Sequence, residues 1–458
     1  MGAERRFPRW AKILLAAVGA LVVMFYAAGG FVFSNMIYTD ALVPQPPTPD
    51  YGVFIRSVEG GSIVLSSEDE REDTTRPGTA GLAWEGGYGR LGKIQRVDGL
   101  EVTRSFELVS GNPPLPCPGT LADCEPVDIE GWTYQNDPSD VGLSFGEVVY
   151  ASPLGDMGAW QVDSGDGSVW AVHAHGWRSS RREAIRSLPI YQAAGITSLV
   201  IEYRNDPDVP PDPSGIYRFG LTEWEDVEAA VQHAIDHGAE KVILVGYSTG
   251  AAAHLAFLEN SALADRVFAT VFDSPNADMG ATVRFAAEET TLPGTPIPVP
   301  ASLTAVAMLI ADLRWQVGWN EIDYVDRVAE VLAVPTLVFH GLEDDVVPVE
   351  VSRQLAGRAN DQVRLIEVEE AGHVTSWNVD PAGYGASLTG FLEELHLTGL
   401  LEASVAVQAQ DGLSPLPVEL VGTDNLDWYG LVAVNIQIGK VTTVQINRPE
   451  IFEIALGE

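Results

Sequence analysis

The sequence predicts an α/β protein: a mostly parallel sheet with helices on both faces, β-rich additions at each end, and an N-terminal transmembrane helix. Three observations predict it. From about residue 166 to 397, strand-like and helix-like stretches alternate. Strands there, such as Val242-Ile243-Leu244-Val245, are apolar on both faces, as in a sheet covered from each side. The chain is also large and apolar enough for two or three domains, with 458 residues, 46% of them hydrophobic and 20% charged.

The first element is apolar. Ile13 to Phe33 carry no charged side chain, and about 20 residues suffice to cross a hydrocarbon core as a helix. Arg5, Arg6, Arg9 and Lys12 precede the run and no Lys or Arg follows it until Arg56. That asymmetry places residues 1–12 in the cytoplasm, the transmembrane helix at 13–36, and the rest of a single-pass cell-membrane protein on the extracytoplasmic side. A cleaved signal peptide is the alternative, but its apolar core should be shorter. Residues 37–50 then read as a Pro-rich linker that holds the body off the bilayer.

From 51 to 165 short apolar runs are broken by Gly, Pro and Asp. Ile63-Val64-Leu65, Phe106 to Val109 and Val148-Val149-Tyr150 read as short strands of a β-rich region leading into the main sheet. Cys117 and Cys124 close the loop Cys-Pro-Gly-Thr-Leu-Ala-Asp-Cys. On an oxidising face they form a local disulfide, and otherwise they are two unpaired thiols. The loop offers too few ligands for a metal site.

The alternation then runs strand Val169–Ala174, helix Arg181–Ala194, strand Thr197–Tyr203, helix Thr222–His237, strand Lys241–Tyr247, helix Thr249–Leu258 and strand Val267–Phe272. After a Pro-rich stretch at about 277–325, placed to act as a lid, it resumes with strand Val334–Phe339, helix Glu350–Arg358, strand Val363–Val368 and helix Pro381–Leu395. Beyond 399, Ala403 to Val407, Leu431 to Ile438 and Val441 to Ile446 alternate, so residues 399–458 read as β-rich.

The chemistry sits at the strand ends. Gly246-Tyr247-Ser248-Thr249-Gly250 lies between a buried strand and a helix of small residues, the setting of a nucleophile elbow. A serine hydroxyl needs a base, and the chain order expected here is serine, acid, histidine. Asp344 fits the turn Gly341-Leu-Glu-Asp-Asp-Val-Val-Pro348, with Asp345 and Asp273 as the other acids considered. His373, after Gly372, lies on the loop that follows the next strand. His233 and His237 read as solvated and His340 as packed. An oxyanion would need two donors. The N–H groups of Thr249 and of Trp177, in the loop His175-Gly176-Trp177, are the candidates, with His175 propping that loop.

Residues 166–397 thus resemble an α/β-hydrolase fold serine hydrolase, of the broad group that includes serine aminopeptidase-like lipases and prolyl-oligopeptidase-like catalytic domains. The likeness rests on the His-Gly loop, the Gly-x-Ser-x-Gly elbow, the Gly-x-x-Asp-x-x-Val-Pro turn and the Gly-His loop, in that order. It covers about half the chain. Tyr203 to Asp206 and Thr222 to Asp226 also resemble stretches of membrane-anchored bacterial hydrolases of unassigned substrate. Arg204 and Asp206 either line the pocket mouth or tie their loop down.

The resemblance implies a hydrolase cleaving ester bonds through an acyl-enzyme, with a small-molecule ester or peptide as substrate and neither metal nor organic cofactor. A peptidase or an envelope acyltransferase on the same residues are the alternatives, and a non-enzymatic surface binding protein is a third. Serine at 248 excludes a dehalogenase, which needs a carboxylate there. The net charge of −37 argues against nucleic acid as a partner, because phosphate binding needs clustered cations.

Overall fold

A computed structural model describes residues 9–45, 52–67, 72–117, 124, 127–359, 362–410, 431–434 and 444–447. Contacts divide the chain into Met1–Leu392 and Glu393–Glu458.

The first unit holds two sheets. Strands β1 (Val53–Glu59), β2 (Ser62–Ser67), β3 (Ala80–Trp84), β4 (Gly87–Asp98), β5 (Glu101–Gly111) and β6 (Asp128–Glu130) form an antiparallel sheet in the order β1-β2-β5-β4-β3-β6. Ile63, Leu65, Leu82 and Leu91 close its small core. Alternate residues of β2 and β3 supply that core, as the two-residue period of a half-buried strand requires. Cys117 and Cys124 are bonded to each other, and Cys117 N–H donates to the Ile55 carbonyl at 2.8 Å.

The second sheet has eight strands. These are β7 (Gly146–Ser152), β8 (Gly155–Val162), β9 (Val169–Ala174), β10 (Thr197–Ile201), β11 (Lys241–Tyr247), β12 (Val267–Asp273), β13 (Thr336–Gly341) and β14 (Val363–Val368). Their order is β14-β13-β12-β11-β9-β10-β8-β7, parallel from β10 to β14, with β8 antiparallel to both of its neighbours. The sheet therefore begins at Gly146, upstream of the 166 expected from the alternation. Val172, Leu244 and Ala269 at its centre are fully buried, which is why these strands read as continuous apolar runs.

Several elements differ from the expectation. The stretch 181–194 is a short 3-10 turn, Arg181–Ala184, followed by a helix only at Leu188–Ala193. Pro189 restarts it, since proline tolerates only a first turn. Residues 403–407 lie in the helix Pro381–Gln410 rather than in a strand. A five-residue alternation of Ala, Ser and Val is too short to separate the two states. Further on, Leu431–Val434 and Val444–Asn447 pair antiparallel; the rest of the β-rich expectation for 399–458 falls outside the described residues.

The N-terminal helix α1 runs Arg9–Ile37 and continues as a wider turn, Tyr38–Leu42. Its first turns are bare, with Ile13, Leu15, Leu21 and Val23 all more than half exposed. Its last turns are not. Phe33 packs with Val299, Leu303 and Ala307, and Leu42 is fully buried in the main core. Residues 37–45 therefore do not hold the body away as a stiff spacer: Tyr217 N–H donates to the Leu42 carbonyl at 2.7 Å. Residues 46–50 lie outside the described residues.

Candidate active site

Ser248 stands between β11 and the helix Thr249–Asn260, with φ 50° and ψ −115°. That backbone is one an L-residue rarely adopts, and it is imposed by the neighbours. A Cβ on Gly246 would stand 2.6 Å from Ala251, and one on Gly250 would collide with the Ala174 carbonyl. Only glycine lets strand, turn and helix approach this closely. Ser248 N–H donates to the Asp273 carbonyl and its own carbonyl accepts from Asn276, both at 3.0 Å. The helix N-terminus behind the serine adds a positive field.

His373 lies on the loop after β14. Its Nε2 is 2.9 Å from Ser248 Oγ, and its Nδ1 is 2.8 Å and 3.0 Å from the two oxygens of Asp344. Asp344 lies on the turn after β13, where Oδ1 also accepts from Val346 N–H and Val347 N–H at 3.0 and 2.8 Å. Burial works against ionising this carboxyl, but the His373 and His340 rings beside it hold it well below the usual carboxylate range. Burial likewise opposes charge on His373, and Asp344 outweighs it, so the imidazole lies above its ordinary value.

The other acids are placed differently. Neither carboxylate oxygen of Asp273 has a hydrogen-bond partner. It lies 3.7 Å from Arg186 Nη2, and burial first of all pushes its carboxyl up to about 6. Asp345 lines the cavity described below.

The loop after β9 carries His175-Gly176-Trp177. A Cβ on Gly176 would come within 3.0 Å of Ser248 Cβ, so this loop passes directly over the serine. Gly176 N–H is already spent on Glu183 Oε2 at 2.8 Å. Trp177 and Thr249 line the cavity beside Ser248. His175 props the loop: Nδ1 meets the Gly176 carbonyl at 2.9 Å and Nε2 meets Asp206 Oδ2 at 2.8 Å. With an acceptor at each nitrogen the ring is held doubly protonated. Burial opposes this, but Asp206 raises its value to about 8.

Arg204 and Asp206 do not line the pocket mouth. Arg204 is buried and bonded to Asp226 Oδ2 at 2.7 Å and Glu225 Oε2 at 2.9 Å. Asp206 also accepts from Tyr203 N–H at 3.0 Å. Both tie loops down. His233 is half buried against Trp170 and His237 rather than solvated. His340 is buried as expected, but no sequence feature marks that its Nε2 lies 3.2 Å from Asp344 Oδ2. Ser274 was also missed; its Oγ accepts from Val374 N–H at 3.1 Å and so holds the histidine loop. No pattern marks Ser274, because Val374 lies 100 residues away; the contact of His340 with Asp344, only four residues on, depends on the course of the turn after β13.

A cavity of about 560 Å³ opens above Ser248, bounded by α1 and by the helices Met279–Glu289 and Ala301–Trp315. These two helices occupy the stretch expected to cover the sheet. Most of the wall is apolar, including Phe33, Met36, Val283 and Val299. Among the described residues, no group of three His, Cys, Asp or Glu is placed to hold a metal ion.

Residues 171–386 match the model of the alpha/beta hydrolase family, and residues 55–121 match that of a domain of unknown function (DUF8805). No curated protein matches. Among solved structures, the Pyrococcus furiosus esterase Pf2001 is 19% identical, with 57% of this chain and 96% of that one covered and a TM-score of 0.45. An esterase from Exiguobacterium antarcticum (EaEST) is 16% identical, covering 54% and 100%, with a TM-score of 0.41. A thermophilic esterase from Thermogutta terrifontis, with malate bound, is 18% identical, covering 55% and 99%, with a TM-score of 0.40.

Proposed function

Given that this chain is an α/β-hydrolase fold hydrolase, we propose that it is a serine esterase working through Ser248, His373 and Asp344, anchored to the membrane by α1. The observation that carries the reading is the single ring of His373, within 2.9 Å of the Ser248 hydroxyl on one side and 2.8 Å of the Asp344 carboxylate on the other.

Ser248 Oγ attacks the ester carbonyl while His373 Nε2 takes its proton. The carbonyl oxygen becomes an oxyanion, held by the N–H groups of Thr249 and Trp177. Asp344 keeps the ring in the tautomer whose Nε2 is free and steadies its charge. The oxyanion collapses, the C–O bond breaks, and the alcohol leaves with the proton from His373. Water, deprotonated by the same ring, attacks the acyl-serine and releases the acid.

The anchor reading draws on the bare apolar turns of α1 and the cations Arg9 and Lys12 ahead of them. A signal sequence would be removed. Here Phe33 and Leu42 are built into the body, which favours a retained helix, with the body on the extracytoplasmic side.

The test is labelling of the full chain with a water-soluble fluorophosphonate, followed by hydrolysis assays on p-nitrophenyl butyrate and on a peptide amide. One adduct on Ser248 and turnover of the ester are expected, both lost in Ser248→Ala. A folded protein that takes no adduct is not a serine hydrolase; turnover of the amide alone would make it a peptidase.

A further inference from the structure

The cavity, α1 and the covering helices share a geometry that names a substrate class. Contacts between α1 and the helix Ala301–Trp315 advance together along both chains. Tyr26 meets Ser302 at 2.7 Å, Gly29 and Gly30 lie against Leu303 and Val306, and Ser34 and Asn35 accept from Arg314 at 3.0 and 2.7 Å. The two helices therefore run parallel, and the segment 290–300 lies toward the bare end of α1.

Length then fixes a depth. A helix rises 1.5 Å per residue, so a hydrocarbon core of about 30 Å takes up about 20 residues. Counted from Ile13, the first residue beyond Lys12, that reaches Val32. The turns from Tyr26 to Val32 are already packed on the helix 301–315. An anchored α1 thus brings the start of that helix, and the segment before it, to the level of the bilayer. Ile297 and Leu309, both more than half exposed, are the surface that would meet it. The cavity wall reaches the same region: Phe33, Thr290 and Val299 line it together with Ser248 and His373.

We propose that the substrate is an ester-bearing membrane lipid, which enters from the bilayer between α1 and the segment 290–300 and lies along the apolar wall with its ester at Ser248. The inference rests on the proposed roles of Ser248 and α1. An apolar chain leaving a bilayer costs about 0.8 kcal/mol per CH₂ in water. A path from the hydrocarbon to an apolar cavity avoids that cost, whereas a soluble ester has no need of it.

The experiment uses the full chain in lipid vesicles with two probes. One is the water-soluble fluorophosphonate; the other is a phosphonate ester with a hexadecyl chain, held in the bilayer. Expected is labelling of Ser248 by both, with the hexadecyl probe at least about tenfold faster from the protein's own vesicles than from separate ones, through its higher effective concentration there. Val299→Trp, which narrows the cavity where the segment 290–300 lines it, should lower the hexadecyl-to-soluble rate ratio by about tenfold. Labelling by the soluble probe with no advantage for the shared bilayer, or an unchanged ratio in Val299→Trp, overturns the lipid route and leaves the esterase reading standing. No labelling by either probe overturns both.

Discussion

Gly30 lies so close to Val306 that a Cβ on the glycine would stand 2.7 Å from the valine Cγ1. The contact joins α1 to the helix that covers the cavity, and it leaves no space for a larger residue. Gly19, on the same helix, has nothing within 4 Å of the equivalent point. Gly30→Leu should therefore separate the helices at a cost of about 1–3 kcal/mol, typical of overpacking. Gly19→Leu should cost close to nothing. Limited proteolysis of the segment 290–300 in the two variants checks this: equal cleavage would mean that the two helices are not fastened here.

Asp344→Asn should leave the fold intact and lower kcat by about 10³–10⁴, because the ring of His373 loses the partner that fixes its tautomer. Ser248→Ala should lower it at least as far. Stopped assays on a soluble ester, with circular dichroism to show folding, read both.

The pH profile of kcat/KM should rise along a limb set by His373, which acts only when neutral. Asp344 raises that ring above its ordinary value, so the wild-type limb lies above the value of a free imidazole. In the residual activity of Asp344→Asn the limb should lie at lower pH than in the wild type. A limb that stays in place would remove Asp344 as the source of the shift.

His175 predicts a stability change of its own. Its folded value, about 8, exceeds the ordinary 6.5. The stabilisation from the ion pair with Asp206 is thus fully present below pH 6.5 and is lost as pH rises through 8. The shift corresponds to about 2 kcal/mol. Urea unfolding across pH 6–9.5 should show this decline, and His175→Asn should flatten it.

Cys117 and Cys124 close a loop with seven residues' separation, beside β1. Short loops gain less from closure than long ones, so replacing both by Ser should cost about 2 kcal/mol. The loss should appear in hydrogen exchange of β1 and leave that of β11 unchanged.

Features carried by local chemistry were legible in the sequence. A strand buried on both faces, a tight Gly-x-Ser-x-Gly turn and an Asp or Gly-His turn after a strand each follow from a few adjacent residues, and the folded chain sets the ring of His373 within 3.0 Å of Ser248 Oγ through one nitrogen and of both Asp344 oxygens through the other. Features made by distant pairs were not legible. Gly29 and Gly30 look like any small residues of an apolar helix until Leu303 and Val306 are set against them. Leu42 looks like linker until Tyr217 binds its carbonyl. Arg204 reads equally as a pocket-mouth residue or as one that ties its loop down, because the three carboxylate partners that decide for the second lie 8 to 22 residues further along the chain. The run 403–407 failed for another reason: short alternation has no unique period.

Trp177 Nε1 donates to the Ala41 carbonyl at 3.0 Å, and Arg178 Nη2 to that of Thr39 at 3.2 Å. The end of α1 is thereby bolted to the very loop that overhangs the serine. An enzyme on a loose leash sweeps a hemisphere and meets its targets at any height. One mounted on a rigid mast has no swivel. Whatever surface grips the first turns of α1 also sets the height and the heading at which the serine works, and the reaction zone shrinks from a volume to a thin shell.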